Sequence, residues 1–315
     1  MKFDPGSADG KPVALLFPGQ GTQNLRAIGP LLGEPAIAQR YELVCDLLRR
    51  DPLRQTKTHP NTLSENAVSS LLTVLASSAM LDVLRRDGTL DRCIGVAGYS
   101  VGQWSALYAA GAIDAEQLLR TVHARATIMD RVIAAQASGM LAVIGVREND
   151  LQSICARARE TGGILEVANI NAPSNYTLSG TADAIDFAEM ELVRLRAKAV
   201  VRLPVSGGWH SSMLRAAVQP FRAYLDQLRF ATPVIPVLDN TTGGWLSSDT
   251  QQAFQQLSLH LAMPVLWRQS METLLQAGVQ FFIEVGLGDT LSKFGIFISR
   301  KARYITLFPA QGNVI

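Results

Sequence analysis

The apolar run Cys93 to Ala97 breaks at Gly98-Tyr99-Ser100-Val101-Gly102, and an apolar helical stretch follows from about Gln103 to Ala110. A short strand that turns on glycines straight into a helix is the local grammar of an α/β fold. The same grammar opens the chain. Val13-Ala14-Leu15-Leu16-Phe17 reads as a buried strand closed by the glycine turn Pro18-Gly19-Gln20-Gly21. Between the two strands, apolar side chains recur at helical spacing over 65–87, through Val68, Leu71, Leu72, Leu75 and Leu84. That helix stops at Asp87-Gly88, just past the basic pair Arg85-Arg86. Asp114 is placed to cap a further helix over 115–134.

The pattern changes between about 138 and 204. Met140 to Val146 reads as a strand and 148–160 as a helix. Leu165 to Ile170 and Tyr176 to Leu178 read as strands across the turn Asn171-Ala172-Pro173-Ser174, followed by a helix over 182–196 and a strand from Ala199 to Leu203. That β-α-β-β-α-β order is the ferredoxin-like split unit. The domains expected are therefore 1–137 together with 205–315, and an inserted subdomain over 138–204. After the insertion, Val234 to Leu238 and Phe281 to Val285 read as strands and 250–261 and 268–277 as helices.

Composition narrows the function classes. Over 315 residues, Lys plus Arg (29) exceeds Asp plus Glu (27) by 2. So even a balance lacks the concentrated positive charge of a nucleic-acid arm or a polybasic membrane patch. Hydrophobic residues make up 48% of the chain, enough to build a core, which excludes general disorder. Cys45, Cys93 and Cys155 are widely spaced without a CxxC pair and read as small buried hydrophobes in a reducing compartment. The start, Met1-Lys2-Phe3-Asp4-Pro5-Gly6, has no signal-like apolar core, and no later run reaches about 18 uninterrupted apolar residues. A soluble, cytoplasmic, monomeric protein is expected, with neither membrane nor nucleic acid as partner.

Gly98-Tyr99-Ser100-Val101-Gly102 matches G-x-S-x-G, in which a serine on a tight strand-to-helix turn projects its hydroxyl clear of the sheet. The helix amino terminus behind it offers backbone N–H groups to a developing oxyanion. A serine needs a base, and the chain has four histidines: His59, His123, His210 and His260. His59 reads as exposed loop, while His123 and His260 fall within or near the end of helices. His210, in a loop just beyond a strand end, is where α/β enzymes place catalytic groups. Asp239 and Asp289 are conceivable third members, neither with a distinguishing context. The turn Pro18-Gly19-Gln20-Gly21-Thr22-Gln23 lacks the lysine of a phosphate loop and the third glycine of a dinucleotide turn. What it carries instead is two amides, Gln20 and Gln23, at a strand's carboxyl end.

Five motifs occur in the chain: Phe17-Pro18-Gly19-Gln20-Gly21-Thr22-Gln23, Gly98-Tyr99-Ser100-Val101-Gly102-Gln103, Asn169-Ile170-Asn171-Ala172-Pro173, Trp209-His210-Ser211-Ser212-Met213 and Glu284-Val285-Gly286-Leu287-Gly288. Together they resemble the malonyl-CoA:acyl carrier protein transacylase family, including the acyltransferase domains of polyketide synthases. The likeness runs from about residue 12 to 308. It implies an α/β-hydrolase-like large domain with a ferredoxin-like insertion. It makes Ser100 the acylated nucleophile and His210 its general base and acid. Gln20 and the Val101 N–H become the oxyanion-hole donors, and Arg125 the partner of the malonyl carboxylate. The histidine would be oriented by a main-chain carbonyl, at His260, where the family usually has glutamine; Asn171 and Asn240 are carried over as supporting residues.

The resemblance implies malonyl-CoA and an acyl carrier protein as substrates, no bound cofactor or metal, and service in fatty-acid or polyketide assembly. Three departures point to a specialised branch: Tyr99 where histidine is usual, Leu287 where proline is usual, and no Gln-Pro-Ala signature around Val68-Ser69-Ser70-Leu71-Leu72. Gly207-Gly208-Trp209 fits neither common polyketide selectivity signature, which leaves a substituted malonyl group open. A thioester hydrolase that clears stalled carrier proteins would use the same Ser100 and His210 without needing Arg125. Basic residues gather around Arg194, Arg196, Lys198 and Arg202, and again at Lys293, Arg300, Lys301 and Arg303.

Overall fold

The structure, a computed structural model, describes residues 11–21 and 25–308; Gln23 lies outside the described residues. Its strands are β1 (Val13–Phe17), β2 (Cys93–Gly98), β3 (Ser138–Ile144), β4 (Leu165–Ala172), β5 (Asn175–Thr181), β6 (Ala199–Arg202), β7 (Phe281–Leu287) and β8 (Arg303–Phe308). Its helices are α1 (Leu25–Leu31), α2 (Pro35–Leu48), α3 (Pro52–Gln55), α4 (Asn66–Arg86), α5 (Gly102–Ala109) and α6 (Ala115–Ile133). They continue with α7 (Glu148–Glu160), α8 (Ala182–Arg194), α9 (Arg215–Leu225), α10 (Thr250–Leu259), α11 (Trp267–Gln276) and α12 (Thr290–Ile298).

The large sheet runs in the order β2-β1-β7-β8, with every pairing parallel. Parallel strands covered on both faces read as unbroken apolar runs, and every residue of β1 is buried. Alternation along β1 sends its side chains to two different cores. Val13, Leu15 and Phe17 join Leu71, Leu75, Leu107 and Met129 of α4, α5 and α6. Ala14 and Leu16 face Trp267, Met271, Leu274 and Leu291 of α11 and α12. Helix α4 is long and apolar enough to cross a bilayer by length and composition, yet 83% of its most apolar window is buried inside the protein. It serves as the central core helix, packed on α2, α6 and β7. The Asp114 cap is present as a full capping box with Gln117.

The second sheet is antiparallel in the order β4-β5-β3-β6, the strand order of a ferredoxin-like unit. Helices α7 and α8 cover one face, burying Leu151, Ile154, Ile185 and Leu192 against Leu141, Val143 and Leu178. Away from the points where the chain passes between them, the units are joined by backbone bonds from Ile170 N–H to Val265 O (3.0 Å) and from Val265 N–H to Ala168 O (2.9 Å).

One expected strand does not form. Val234 to Leu238 contributes only single bridges, Val237 to Val96 and Leu238 to Trp245. Pro236 has no N–H to donate, so a ladder cannot continue through it, and the segment lies along β2 as irregular backbone. The cysteines also differ from expectation: Cys155 is buried, whereas Cys45 and Cys93 are only partly so.

Candidate active site

Close packing dictates the glycines of the elbow. A Cβ on Gly98 would stand 2.1 Å from the Gly102 carbonyl, and one on Gly102 would stand 2.2 Å from Phe17 O. Only hydrogen at these positions lets β2 turn directly into α5 beneath the end of β1. Ser100 then occupies the left-handed region at φ 53°, a conformation unfavourable for a side chain unless the surroundings enforce it. Asn240 does so. Its Oδ1 accepts the Ser100 N–H at 2.9 Å, and its Nδ2 donates to Gly98 O at 2.7 Å and to Gln103 Oε1 at 2.6 Å. Gln103 in turn donates to Leu238 O at 2.9 Å, which gives the irregular 234–238 segment a task beneath the elbow.

Ser100 Oγ lies 2.6 Å from His210 Nε2, and His210 Nδ1 lies 2.9 Å from the carbonyl oxygen of His260. The carbonyl can only accept, so Nδ1 carries the proton and Nε2 is free to take one from the serine. Neither acid considered from the sequence plays third member. The Asp239 carboxylate accepts from Thr241 and Thr242, and Asp289 pairs with Lys293. Burial, and then the charge of Arg125, push His210 down to about 3, against the opposing pull of the His260 carbonyl. The imidazole is therefore neutral at physiological pH.

Arg125 projects from α6 and is 1% exposed, with Nη2 3.5 Å from Ser100 Oγ. Its Nε meets no acceptor among the described residues. Burial lowers it to about 10, partly offset by Asp130, so it remains cationic at neutral pH. Asp130 itself accepts from Asn66 Nδ2 at 2.9 Å and does not pair with the guanidinium. A buried cation with no paired carboxylate among the described residues, aimed at a nucleophile, is arranged to receive an anion.

The Gln20 side chain points elsewhere. Its Nε2 donates to Ser70 Oγ at 2.5 Å and to Asn66, so the group left for an oxyanion is the Gln20 backbone N–H. Among the described residues, neither that N–H nor the one of Val101 has a protein acceptor. The turn bearing Gln20 presses on the elbow, since a Cβ on Gly19 would stand 2.8 Å from the Tyr99 ring. Asn171 stands one step back, its Oδ1 accepting from Tyr99 O–H at 2.7 Å, and so ties the small sheet to the elbow. His59 is exposed and His123 lies on α6; neither joins the site.

The structure thus brings together Ser100, His210, Arg125, His260, Val101 and Gln20, with Asn240 and Asn171 as supports. Sequence reading assigned no role to Gln103, Asn66 or Asp130. Each acts through another side chain, and a lone polar residue in a helix carries no signal of that.

A serine on a strained elbow with a neutral imidazole beside it is an arrangement suited to nucleophilic chemistry in an α/β fold. The family model described as the acyl transferase domain matches residues 15–295, and the chain belongs to that family. It is 29% identical over 300 residues to the malonyl CoA-acyl carrier protein transacylase of Bacillus subtilis, covering 94% of this chain and 93% of that one. The mitochondrial malonyl-CoA-acyl carrier protein transacylase of Mus musculus is 30% identical over 302 residues, covering 91% and 79%. Among solved structures, a malonyl-transacylase in complex with its type II polyketide synthase acyl carrier protein matches with a TM-score of 0.87 at 25% identity, covering 95% of this chain and 97% of that one.

Proposed function

We propose that this protein is a malonyl-CoA:acyl carrier protein transacylase working by a ping-pong route through Ser100. The observation that carries the reading is one oxygen with two partners: Ser100 Oγ stands 2.6 Å from His210 Nε2 and 3.5 Å from Arg125 Nη2. A base and an anion-binding fork converge on the same nucleophile.

His210 Nε2 takes the Ser100 proton as Oγ attacks the thioester carbonyl. The backbone N–H groups of Gln20 and Val101 receive the oxyanion; losing one such donor costs about 10²–10³ in rate. The C–S bond breaks, and His210 returns the proton to the departing CoA sulfur. The phosphopantetheine thiol of the carrier protein then gives its proton to His210 and attacks the seryl ester, and Ser100 regains its hydrogen. Arg125 holds the carboxylate throughout with a planar fork that lysine cannot reproduce. A thioester hydrolase would share Ser100 and His210 but would leave a buried guanidinium without a task.

The division of the chain consistent with this reading is a catalytic unit of 1–137 and 205–315 around a subdomain of 138–204. The cytoplasm is the compartment proposed. The deciding experiment is intact-mass analysis after mixing with malonyl-, methylmalonyl- and acetyl-CoA, beside Ser100→Ala and Arg125→Ala. A malonyl adduct confined to proteins with Ser100, and a preference for malonyl over acetyl that disappears with Arg125, is the expected result. An adduct persisting in Ser100→Ala overturns the reading.

A further inference from the structure

His260 holds the base twice. Its carbonyl accepts from His210 Nδ1 at 2.9 Å, and its ring stacks on the His210 ring with centroids 4.9 Å apart and planes 29° from parallel. The backbone contact would survive any side chain, so the imidazole needs an account of its own. It is 1% exposed, and its Nε2 is buried without a partner among the described residues. Leaving a buried nitrogen unpaired is costly, and folded proteins seldom tolerate it away from ligand sites.

Arg125 Nε is in the same condition. Both side chains adjoin the Ser100–His210 pair. Arg125 reaches towards Ser100 Oγ, the His260 ring lies against the imidazole bonded to that oxygen, and the Arg125 charge acts on both rings. Burial beside His210 and Arg125 keeps His260 uncharged, so it offers an N–H donor and not a second cation. A carboxylate has about four lone-pair sites on two oxygens, more than one guanidinium edge uses.

We infer that His260 is a substrate-binding residue, its imidazole N–H donating to the same acyl carboxylate that Arg125 grips. The inference rests on the acyl-transfer reading above and adds a selectivity residue to it. An acetyl group would leave both nitrogens unpaired, so the His260 side chain favours malonyl over acetyl. A specificity pocket built from hydrogen-bonding groups rejects a substrate that cannot answer them.

The test compares His260→Phe, which keeps a stacking ring and removes both nitrogens, with His260→Gln, which restores a donor, and His260→Ala. Single-turnover acylation of Ser100 is measured with malonyl-CoA and with acetyl-CoA. In His260→Phe the malonyl-over-acetyl ratio should fall by about ten- to a hundredfold, the worth of a hydrogen bond to a charged group, and His260→Gln should recover most of it. If Phe does not fold, the same ratio compared between Ala and Gln decides. An equal loss on both acyl groups, which marks a role confined to steadying His210, overturns the inference, as does an unchanged ratio or no recovery with Gln. Wild-type protein that forms no malonyl adduct would sink the parent reading instead, a separate result.

Discussion

Ser100 and His210 meet at 2.6 Å while each holds its backbone in the left-handed region, at φ 53° and φ 57°. Neither conformation is one that a residue with a Cβ prefers, and together they are sustained only by what surrounds them. Asn240 and Gln103 clamp the serine side of the pair; the His260 carbonyl and stacked ring clamp the histidine side. The strain positions Oγ and Nε2 before any substrate arrives.

Asn240→Ala should therefore cost activity more than binding. The change leaves the Ser100 N–H and the Gly98 carbonyl without their partners and releases the elbow. Acylation is expected to slow about a hundredfold, the scale of a misplacement near 1 Å, with little change in the KM for malonyl-CoA. Stopped-flow acylation, with circular dichroism to verify folding, checks this; an unaltered rate would refute the clamp.

Gly98→Ala tests the elbow's packing. Its Cβ would fall 2.1 Å from the backbone of Gly102, where no flexible side-chain end can yield. A loss of stability above about 3 kcal/mol is expected, read as a fall in thermal midpoint or as insoluble protein. Gly21→Ala is the control for glycine substitution as such, since a Cβ there meets nothing within 4 Å, although its positive φ makes a small cost expected.

The pH dependence follows from the buried imidazole. His210 is held down to about 3 by burial and by Arg125, so its neutral, basic form persists well below the usual histidine range. The kcat/KM for acylation reports the free enzyme and should stay flat from pH 7 to pH 5, with no break near 6.5. Stability moves the other way. The unfolded chain takes up protons on His210 and His260 as pH drops below about 6.5 while the folded chain does not, so stability declines from there towards the folded value. A thermal midpoint that rises between pH 6.5 and pH 5 would contradict the assignment.

Arg125→Lys keeps the charge and loses the fork. Malonyl transfer should fall at least about tenfold, with acetyl transfer unchanged or improved. Steady-state rates with both CoA esters decide it.

The two basic clusters differ in how far their charges are already answered within the protein. Arg194 pairs with Glu191, and Arg202 with Asp186 and Glu189, so those charges are already answered. Arg300 and Lys301 are exposed and form no ion pair among the described residues. Replacing both with glutamate should raise the KM for an acidic carrier protein several-fold and leave that for malonyl-CoA unchanged; equal effects would remove the idea.

Much of this was legible before any coordinates. Strands β1 and β2, helices α4 and α6, the split unit and the serine elbow all announce themselves, because apolar period, glycine turns and caps are local signals. Helices α2, α9 and α12 and strand β8 escaped notice. Helix α9 carries Pro220 inside it, and β8 stands at the edge of the large sheet, paired with β7. The segment 234–238 misled because its apolar residues suit a strand while Pro236 denies it a ladder.

By itself the sequence determined which residues have reactive chemistry and where the chain turns from strand to helix, since both depend on neighbours a few positions apart. Local pattern leaves open who meets whom; the family resemblance implies the Ser100–His210 pairing, and the tertiary structure decides which further side chains surround it. Ser100 reaches His210 across 110 positions and Asn240 across 140, and the ring of His260 comes to lie on the base. Such meetings arise from how two sheets and their helices pack, and no short-range pattern along a chain encodes them.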